Sequence, residues 1–277
     1  MVLLAALIFL QASGGLAKGM MTVDNAISLA FIRLGIGATI LGTIVRPRIG
    51  GMSPRQWGDV AMLGAVFAAM NLAVYHAMLL MPLGLVATIG FLGPLAVSVV
   101  GARRLQDLSW PALGFAGVVL LTPWDGTSSV SWTGIGAGLV YALAWGLYIL
   151  ASARVGRSLP GLDGFVVAMV IAALLLAPWG VTHAPYFFST PALSRQTLVV
   201  AVLASIPFGL EFLALKRLAT RVFGVLLSLE PAIASIAGML LLHEHLTAID
   251  IAALIAVSAA SIGVTLVRAT PVEPAAH

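Results

Sequence analysis

Glu230 lies in the middle of an apolar stretch, VLLSLEPAIASIAG, which runs from Val225 to Gly238. A carboxylate in such surroundings must be paired, line a water-filled cavity or hold a proton, because an isolated buried charge is costly. It can therefore carry a proton or bind the amino group of a ligand, and a neutral, hydrogen-bonded core acid is the alternative. Pro231 follows directly and removes a backbone hydrogen bond, which frees a carbonyl near Leu227. Such a break is tolerated beside a cavity, and a kink that serves packing is equally compatible with the sequence.

Two further charges occur in apolar stretches, Arg33 and Glu211. Arg33 could receive the carboxylate of a ligand, for which the planar guanidinium is suited, or it could neutralise an acid such as Asp24. Glu211 could take part in binding, or it could pair with Lys216 and Arg217, which follow it closely in the sequence. The sequence leaves both pairs of alternatives open.

Hydrogen-bonding and aromatic residues complete the set of candidate binding residues. Tyr148 and Trp145 recur with Tyr141 at helical spacing, so the three side chains share one helix face. Such a stripe serves packing more often than binding, and the spacing is compatible with either. Asn71 and Tyr75 offer an amide and a hydroxyl from a different segment.

The sequence contains no arrangement that indicates an enzyme, a metal site or a cofactor site. Cysteine is absent, which excludes disulfides and thiolate ligands. HEH, from His243 to His245, lacks the His-Glu-x-x-His spacing of zinc hydrolases and is predicted to be a solvated loop. GGLAKG lacks the Gly-x-x-x-x-Gly-Lys-Ser/Thr spacing of a phosphate-binding loop.

The candidate residues lie in segments that are long and apolar enough to cross a membrane. The chain has 277 residues, of which 61% are hydrophobic and 9% charged, whereas soluble domains have about 45 to 50% apolar residues. A hydrocarbon core of about 30 Å needs about 20 helical residues. We therefore predict an all-α membrane protein embedded in the lipid bilayer, with ten transmembrane helices at residues 1–17, 26–45, 59–80, 84–101, 110–124, 133–153, 162–180, 197–215, 221–241 and 247–267.

The basic residues lie mainly in short loops between these spans. The sequence pI near 10 does not indicate a nucleic-acid partner, because the positive charge forms no single polar face. Cytoplasmic loops of membrane proteins are enriched in Lys and Arg. With both termini cytoplasmic, that side holds eleven of the fourteen basic residues: Arg46, Arg48, Arg55, Arg103, Arg104, Arg154, Arg157, Lys216, Arg217, Arg221 and Arg268. Lys18 and Arg195 then lie outside.

An internal repeat relates the two halves of the chain. GPLAVSVVG, which begins at Gly93, aligns with EPAIASIAG, which begins at Glu230, so that Pro94 corresponds to Pro231. Each half has five predicted spans, and an odd number places the second half upside down in the membrane. Inverted repeats are typical of secondary transporters, whose binding site lies near the bilayer midplane between the repeats. The predicted repeats are residues 1–125 and 130–268, and a cytoplasmic tail follows at 269–277.

The repeat also predicts helix breaks and an asymmetric site. Pro231 and Pro94 mark breaks in the ninth and fourth spans, but only the ninth has an acid beside its proline. We therefore expect the binding chemistry to be concentrated in the second half, with Gly90 and Gly93 leaving room in the first. Small residues spaced four apart favour close helix packing. These residues are compatible with a homodimer, but they do not identify its interface.

Several segments resemble the EamA-type branch of the drug/metabolite transporter superfamily: GPLAV, ATRVFGVLLSLEPA, PLG, IRLGIG and AWGLYIL. Within that branch, the chain resembles the bacterial threonine/homoserine exporters from the first span to residue 267. The resemblance implies a ten-helix inner-membrane carrier with two inverted five-helix EamA repeats, which exports small metabolites such as amino acids and is driven by the proton gradient. Glu211, Glu230 and Pro231 match the exporters' second-repeat pattern. In the first repeat, IGFLGPL stands where the exporters have a pattern like LEFTGPL, so Gly90 replaces an acid and Leu92 replaces a hydroxyl residue.

The leading hypothesis is a proton-coupled exporter of amino acids such as threonine and homoserine, with a small-molecule substrate and protons as its partners. A multidrug exporter, or an exporter of other metabolites with the same fold, is the first alternative, because aromatic walls and one acid suffice for such cargo. A non-transporting intramembrane protein is the alternative from another class. No enzymatic activity, cofactor or metal is expected.

Overall fold

The computed structural model describes residues 2–99, 109–120, 131–217 and 227–267, and all regular structure in these ranges is helical. The helices are α1 (Val2–Met20), α2 (Ala26–Val45), α3 (Pro54–Leu80), α4 (Leu83–Gly90), α5 (Leu92–Val99), α6 (Ser109–Leu120), α7 (Trp132–Ser158), α8 (Asp163–Gly180), α9 (Pro191–Arg217), α10 (Glu230–Leu242) and α11 (Ala248–Val267). A short 3-10 helix, Ala184–Phe188, lies between α8 and α9.

Some features predicted from the sequence lie outside the described residues. They are the basic residues Arg103, Arg104, Arg221 and Arg268 and the tail at 269–277, together with the side chains of Lys216 and Arg217. The proposed pairing of Glu211 with those two side chains therefore stays a prediction.

Five of the described helices are long and apolar enough to cross a bilayer, namely α2, α3, α7, α8 and residues 191–214 of α9. Shorter apolar helices occupy residues 4–20, 83–97, 230–242 and 248–263. Large apolar side chains cover the outer surface, as at Leu174 and Leu240, which are 66% and 73% exposed. An apolar outer surface of this kind suits contact with lipid. The protein is thus all-helical in its described parts, with several helices that are long and apolar enough to span a membrane.

Polar residues extend several helices beyond the apolar spans predicted from the sequence. α3 begins at Pro54 rather than at residue 59, because Ser53 and Gln56 form a capping box. The Ser53 N–H donates to Gln56 Oε1 over 2.8 Å, and the Gln56 N–H donates to Ser53 Oγ over 3.3 Å. This reciprocal pair satisfies backbone donors that a helix start leaves free. Ser131 caps α7 by accepting the Gly134 N–H.

The fourth predicted span consists of two helices, which meet at Phe91. Pro94 has no N–H to donate to the carbonyl of Gly90, so the hydrogen bonds of a continuous helix cannot be completed there. In the ninth predicted span, α10 begins at Glu230 and Pro231 is its second residue. A proline in the first turn costs little, because the N–H it lacks would have no partner within the helix.

The helices pack in a tight bundle. α3 lies against α7 and α8, α2 against α8 and α9, and α1 against α9 and α10. α4 and α5 contact α7, α4 also contacts α10, and α6 packs on α11. Stacked aromatic rings fill the space between α3, α7, α8 and α9: the ring centroids of Phe67 and Tyr148 are 5.2 Å apart, and those of Phe165 and Phe212 are 5.0 Å apart. The cavity described below lies beside this aromatic cluster.

Candidate functional site

A cavity lies between α1, α2, α3, α4, α7, α9 and the start of α10. Sites for small molecules commonly have an apolar lining and a few polar groups. This cavity has that character, since Met70, Val74, Val86 and Phe208 contribute apolar walls. Its polar lining includes Gln11, Arg33, Asn71, Tyr75, Tyr141 and Glu230.

Glu230 provides the acid of the cavity. It is 3% exposed and lies in the first turn of α10, where the positive end of the helix dipole favours a carboxylate. Its Oε1 accepts a hydrogen bond of 2.8 Å from Nε2 of Gln11 in α1. Gln11 was not among the candidates predicted from the sequence. An amide in the middle of an otherwise apolar first span is the signal that could have found it.

Arg33 provides the positive charge of the cavity. It is 7% exposed, and its Nη2 donates to Oδ1 of Asn71. The guanidinium carbon lies 5.3 Å from the ring centroid of Tyr75 and 5.5 Å from that of Phe208. No carboxylate of the described residues pairs with Arg33. The alternative in which Asp24 neutralises it is therefore wrong, and Asp24 is exposed.

The polar lining comes mainly from the first half of the chain, which differs from the expectation that the second half would hold the binding chemistry. Gln11, Arg33, Asn71 and Tyr75 precede residue 125, whereas Glu230 and Tyr141 follow it. The expectation rested on a comparison of two spans only. The cavity is formed by seven helices, and the repeat motif covers only the fourth and ninth predicted spans. Most polar groups of the lining lie on α1, α2 and α3, which that motif does not include.

Three of the predicted candidates lie close to the cavity without lining it. Tyr148 is fully buried and stacks on Phe67. Trp145 stacks on Tyr141, with ring centroids 5.5 Å apart, so Tyr141 rather than its two neighbours on the stripe reaches the cavity. Glu211 is 4% exposed and lies one helical turn after Phe208, which lines the cavity.

Gly90 and Gly93 allow α7 to approach the break between α4 and α5. A Cβ at Gly90 would lie 2.2 Å from Cε1 of Tyr141, and a Cβ at Gly93 would lie 2.0 Å from the carbonyl oxygen of Ala142. The space beside the two glycines is therefore filled, by a cavity-lining ring and by backbone. The expectation that they leave room for a ligand is wrong. Pro94, in the first turn of α5, is half-buried.

Lys18 and Glu244 form an ion pair at one end of the cavity. Lys18 Nζ lies 2.5 Å from Glu244 Oε1 and also donates to the Met81 carbonyl over 2.6 Å. The other carboxylate oxygen of Glu244 accepts the Leu83 N–H over 2.8 Å. We refer to these four contacting groups as the Lys18–Glu244 clasp. The prediction of a solvated HEH loop is wrong for Glu244, because the left-handed backbone of His243 (φ 55°) turns the chain back over the bundle after α10.

Replacement of Gln11 with leucine is expected to weaken ligand binding by about tenfold. A hydrogen bond to a charged group contributes about 1.5 to 3 kcal/mol, and here it holds the Glu230 carboxylate in one orientation. The half-saturation concentration for the ligand measures the effect. Ser13→Ala is the matched control, because Ser13 also lines the cavity but its hydroxyl donates to the Val200 carbonyl. Equal half-saturation concentrations in the two variants would contradict the role of Gln11.

Comparison with known proteins identifies the family. The EamA-like transporter family matches residues 132–266. The threonine/homoserine exporter RhtA of Salmonella typhimurium is 35% identical over 268 residues, which cover 96% of this chain and 90% of that protein. The chain belongs to the EamA-like transporter family. The exporter of the same name from Escherichia coli (strain K12) is 34% identical over 267 residues, with the same coverage.

A solved protein crystal structure has the same fold. It superposes with a TM-score of 0.66 over 97% of this chain and 95% of that chain, at 20% sequence identity. The superposition bears on the fold alone. Membership of the EamA-like transporter family makes this chain a membrane transporter rather than an enzyme, and the resemblance to threonine/homoserine exporters predicted from the sequence is confirmed.

Proposed function

We propose that the protein exports small metabolites across the bacterial inner membrane, in particular amino acids such as threonine or homoserine, in exchange for protons. The observation that carries the proposal is a buried carboxylate, Glu230, at the wall of a central cavity, with Gln11 as its hydrogen-bond donor. Acids inside a membrane protein are costly and commonly mark proton or substrate paths. The relatives named threonine/homoserine exporters support amino acids as the cargo.

Competition for one carboxylate offers a simple mechanism for the exchange. The Glu230 side chain can hold a proton or face the ammonium group of an amino acid, but the two cannot occupy the same oxygen together. Binding of cargo on one side would release the proton, and binding of a proton on the other side would release cargo. A carrier that exposes the site alternately then couples the two flows. Glu211, which is buried one helical turn after cavity-lining Phe208, is proposed to assist this transfer.

The proposed architecture is ten spans in two inverted repeats, residues 1–125 and 130–268. Helix packing supports it. In the two repeats, α1 corresponds to α7, α2 to α8, α3 to α9, α4 and α5 together to α10, and α6 to α11. When each helix is replaced by its counterpart, every main contact between two helices becomes another main contact. The α3 and α7 pair becomes the α9 and α1 pair, and the α3 and α8 pair becomes the α9 and α2 pair. The pairs of α2 with α8, α4 with α10 and α6 with α11 map onto themselves.

Both termini are proposed to be cytoplasmic, because that orientation places most of the basic loop residues inside. Lys18 and the loop after α10 then lie on the external side. Reporter fusions at each terminus test the orientation: a cytoplasmic reporter is expected to be active at both ends. Activity of a periplasmic reporter at either end would contradict it.

Transport by purified protein in proteoliposomes tests the function. Vesicles loaded with radiolabelled threonine or homoserine are expected to release it several-fold faster when a proton gradient is imposed, and a protonophore should remove the increase. Protein-free vesicles give the rate of passive leakage. Release at the leak rate for every amino acid tested would contradict the proposal and favour a non-transporting protein.

Export of drugs or other metabolites is the second candidate, and aromatic residues at the cavity favour it. Tyr75, Tyr141 and Phe208 line the cavity and could stack on a flat cationic compound. A sensitive host that gains resistance to cationic dyes upon expression, without gaining tolerance to amino acids, would support this candidate over amino-acid export.

A further inference from the structure

Two buried hydrogen-bond donors beside the cavity have no partner in the described part of the chain: Nε of Arg33 and the hydroxyl of Tyr75. Both residues line the cavity, and they are 7% and 3% exposed. Buried polar groups in native proteins are nearly always hydrogen-bonded, so unpartnered donors at a cavity wall point to an acceptor on the ligand. The guanidinium carbon of Arg33 lies 5.3 Å from the Tyr75 ring centroid, so the two donors belong to one region of the wall.

The Arg33 side chain is held in place by its neighbours. Its Nη2 donates to Oδ1 of Asn71, and Nδ2 of Asn71 donates to the Phe67 carbonyl over 2.7 Å, which orients the amide. The Tyr75 and Phe208 rings lie against the guanidinium. A charge that is fixed before binding loses little freedom when the ligand arrives, which favours affinity.

The chemistry of the cavity indicates a carboxylate as the acceptor. A carboxylate can accept from a guanidinium and a hydroxyl together, and no carboxylate of the described residues pairs with Arg33. Arg33 and Glu230 line the same cavity. A ligand that matches both carries an anionic group beside a cationic group, as an α-amino acid does. A phosphate monoester would place a negative charge in the cavity near the Glu230 carboxylate, and it has no cationic group to balance that carboxylate.

We propose that Arg33 Nε–H and Tyr75 O–H bind the α-carboxylate of the transported amino acid, whose ammonium group faces Glu230. This inference rests on the proposed transport function and narrows it to ligands with a free carboxylate. Amides, esters and cationic drugs would leave both buried donors without a charged acceptor.

Equilibrium binding to the purified full-length protein tests the carboxylate subsite without relying on transport. Isothermal titration is carried out with a panel of α-amino acids and the corresponding amides. The wild-type protein is expected to bind its preferred amino acid at least about 30-fold more tightly than the amide. Tyr75→Phe should lower that ratio about tenfold by weakening binding of the acid, and Arg33→Lys should lower it at least as much.

Tyr148→Phe is the matched control, because it removes a buried hydroxyl that does not line the cavity. Its acid-to-amide ratio should equal that of the wild type. Equal affinity for acid and amide in the wild type, no binding of either, or an unchanged ratio in Tyr75→Phe would overturn the carboxylate subsite. Binding with the expected ratios but no flux in proteoliposomes would support the subsite and overturn the transport function.

The Lys18–Glu244 clasp is a separate observation at one end of the same cavity. Lys18 lies one helical turn beyond Gly14 in α1, and both Gly14 and Leu83 line the cavity. The clasp therefore ties the end of α1 and the loop after α10 to the start of α4, through the Met81 carbonyl and the Leu83 N–H. The side chains of the ion pair are 20% and 13% exposed, so they shield this end of the cavity from solvent.

Independently of the carboxylate subsite, we propose that the Lys18–Glu244 clasp closes the cavity at this end and must open for a ligand to pass. In the proposed orientation it is the external gate. One ion pair and two backbone contacts form it, and partly exposed ion pairs are weak enough to break repeatedly. Gly238 makes the closure feasible, since a Cβ there would lie 2.3 Å from Glu244 Oε2.

Thiol labelling tests the gate, and the absence of native cysteine gives a clean background. Ser13→Cys places a thiol on the cavity wall, and a membrane-impermeant maleimide is applied from outside to intact cells. Labelling is expected to accelerate up to about fivefold, which corresponds to about 1 kcal/mol, when Lys18→Met is added. No acceleration is expected when Arg154→Met removes the 3.8 Å pair with Asp59. Met78→Cys serves as a second reporter on the cavity wall. An unchanged labelling rate at both positions in Lys18→Met would overturn the gate.

Discussion

Replacement of Glu230 with glutamine is expected to reduce proton-driven export by roughly 100-fold. Removal of one partner from a buried, hydrogen-bonded charge pair costs about 3 kcal/mol, which corresponds to roughly 100-fold in affinity. Glutamine has nearly the same shape as glutamate, so the wall of the cavity beside Gln11 should persist. It can neither release a proton nor balance an ammonium group. Flux from proteoliposomes with and without an imposed proton gradient measures the effect.

The same variant distinguishes the two roles that the sequence left open for Glu230. If the residue only carries protons, exchange of labelled for unlabelled amino acid without a gradient should continue in Glu230→Gln. If it also faces the ammonium group, that exchange should be lost as well. Asp163→Asn is the control, since it makes the same chemical change at the start of α8, outside the cavity lining. Wild-type flux and wild-type dependence on the gradient in Glu230→Gln would refute both roles.

Replacement of Gly93 with valine is expected to destabilise the protein by about 3 kcal/mol, at the upper end of the usual cost of overpacking. A Cβ at this position would lie 2.0 Å from the Ala142 carbonyl oxygen and 2.9 Å from the Gly146 nitrogen. Both atoms belong to the α7 backbone, so no side-chain rotation can relieve the clash, and α5 must move away from α7. Thermal unfolding in detergent, followed by size-exclusion chromatography, should show a markedly lower midpoint temperature.

Gly136→Val provides the matched control for Gly93→Val. Gly136 lies in α7 itself, and a Cβ there would meet no atom within 4 Å, so the same substitution should leave the midpoint close to that of the wild type. Similar midpoints for the two variants would show that close contact between α5 and α7 is not required. Because the backbone of Ala142 follows cavity-lining Tyr141, we also expect Gly93→Val to impair ligand binding in whatever protein remains folded.

The membrane location, the helical fold and the family could be predicted from the sequence. Hydropathy is a local property, and a bilayer demands long apolar helices wherever the chain crosses it. A charge within such a segment is a local exception that is visible without a structure, which is why Glu230 and Arg33 were identifiable. The resemblance to threonine/homoserine exporters was carried by short motifs around the same residues, and 35% identity over 268 residues bears it out.

Only the tertiary structure decided which polar side chains share one cavity. Gln11 and Glu230 are distant in sequence yet in direct contact, and their meeting depends on how α1 and α10 are rotated against each other. The same rotation of α7 brings Tyr141 to the cavity and leaves Tyr148 and Trp145 in aromatic packing. A helical period reveals that residues share a face, but it does not reveal what that face contacts.

The Lys18–Glu244 clasp is the contact that the sequence was least able to predict. Glu244, within HEH, has the composition of a solvated loop, and nothing in its neighbours predicts a partner in the first helix. A single left-handed residue, His243, redirects the chain and brings the carboxylate to Lys18 and Leu83. The sequence by itself determined that this is a helical membrane transporter with an acid and an arginine in its interior. The packing of its helices decided that both charges line one cavity and that Lys18 pairs with Glu244 at one end of it.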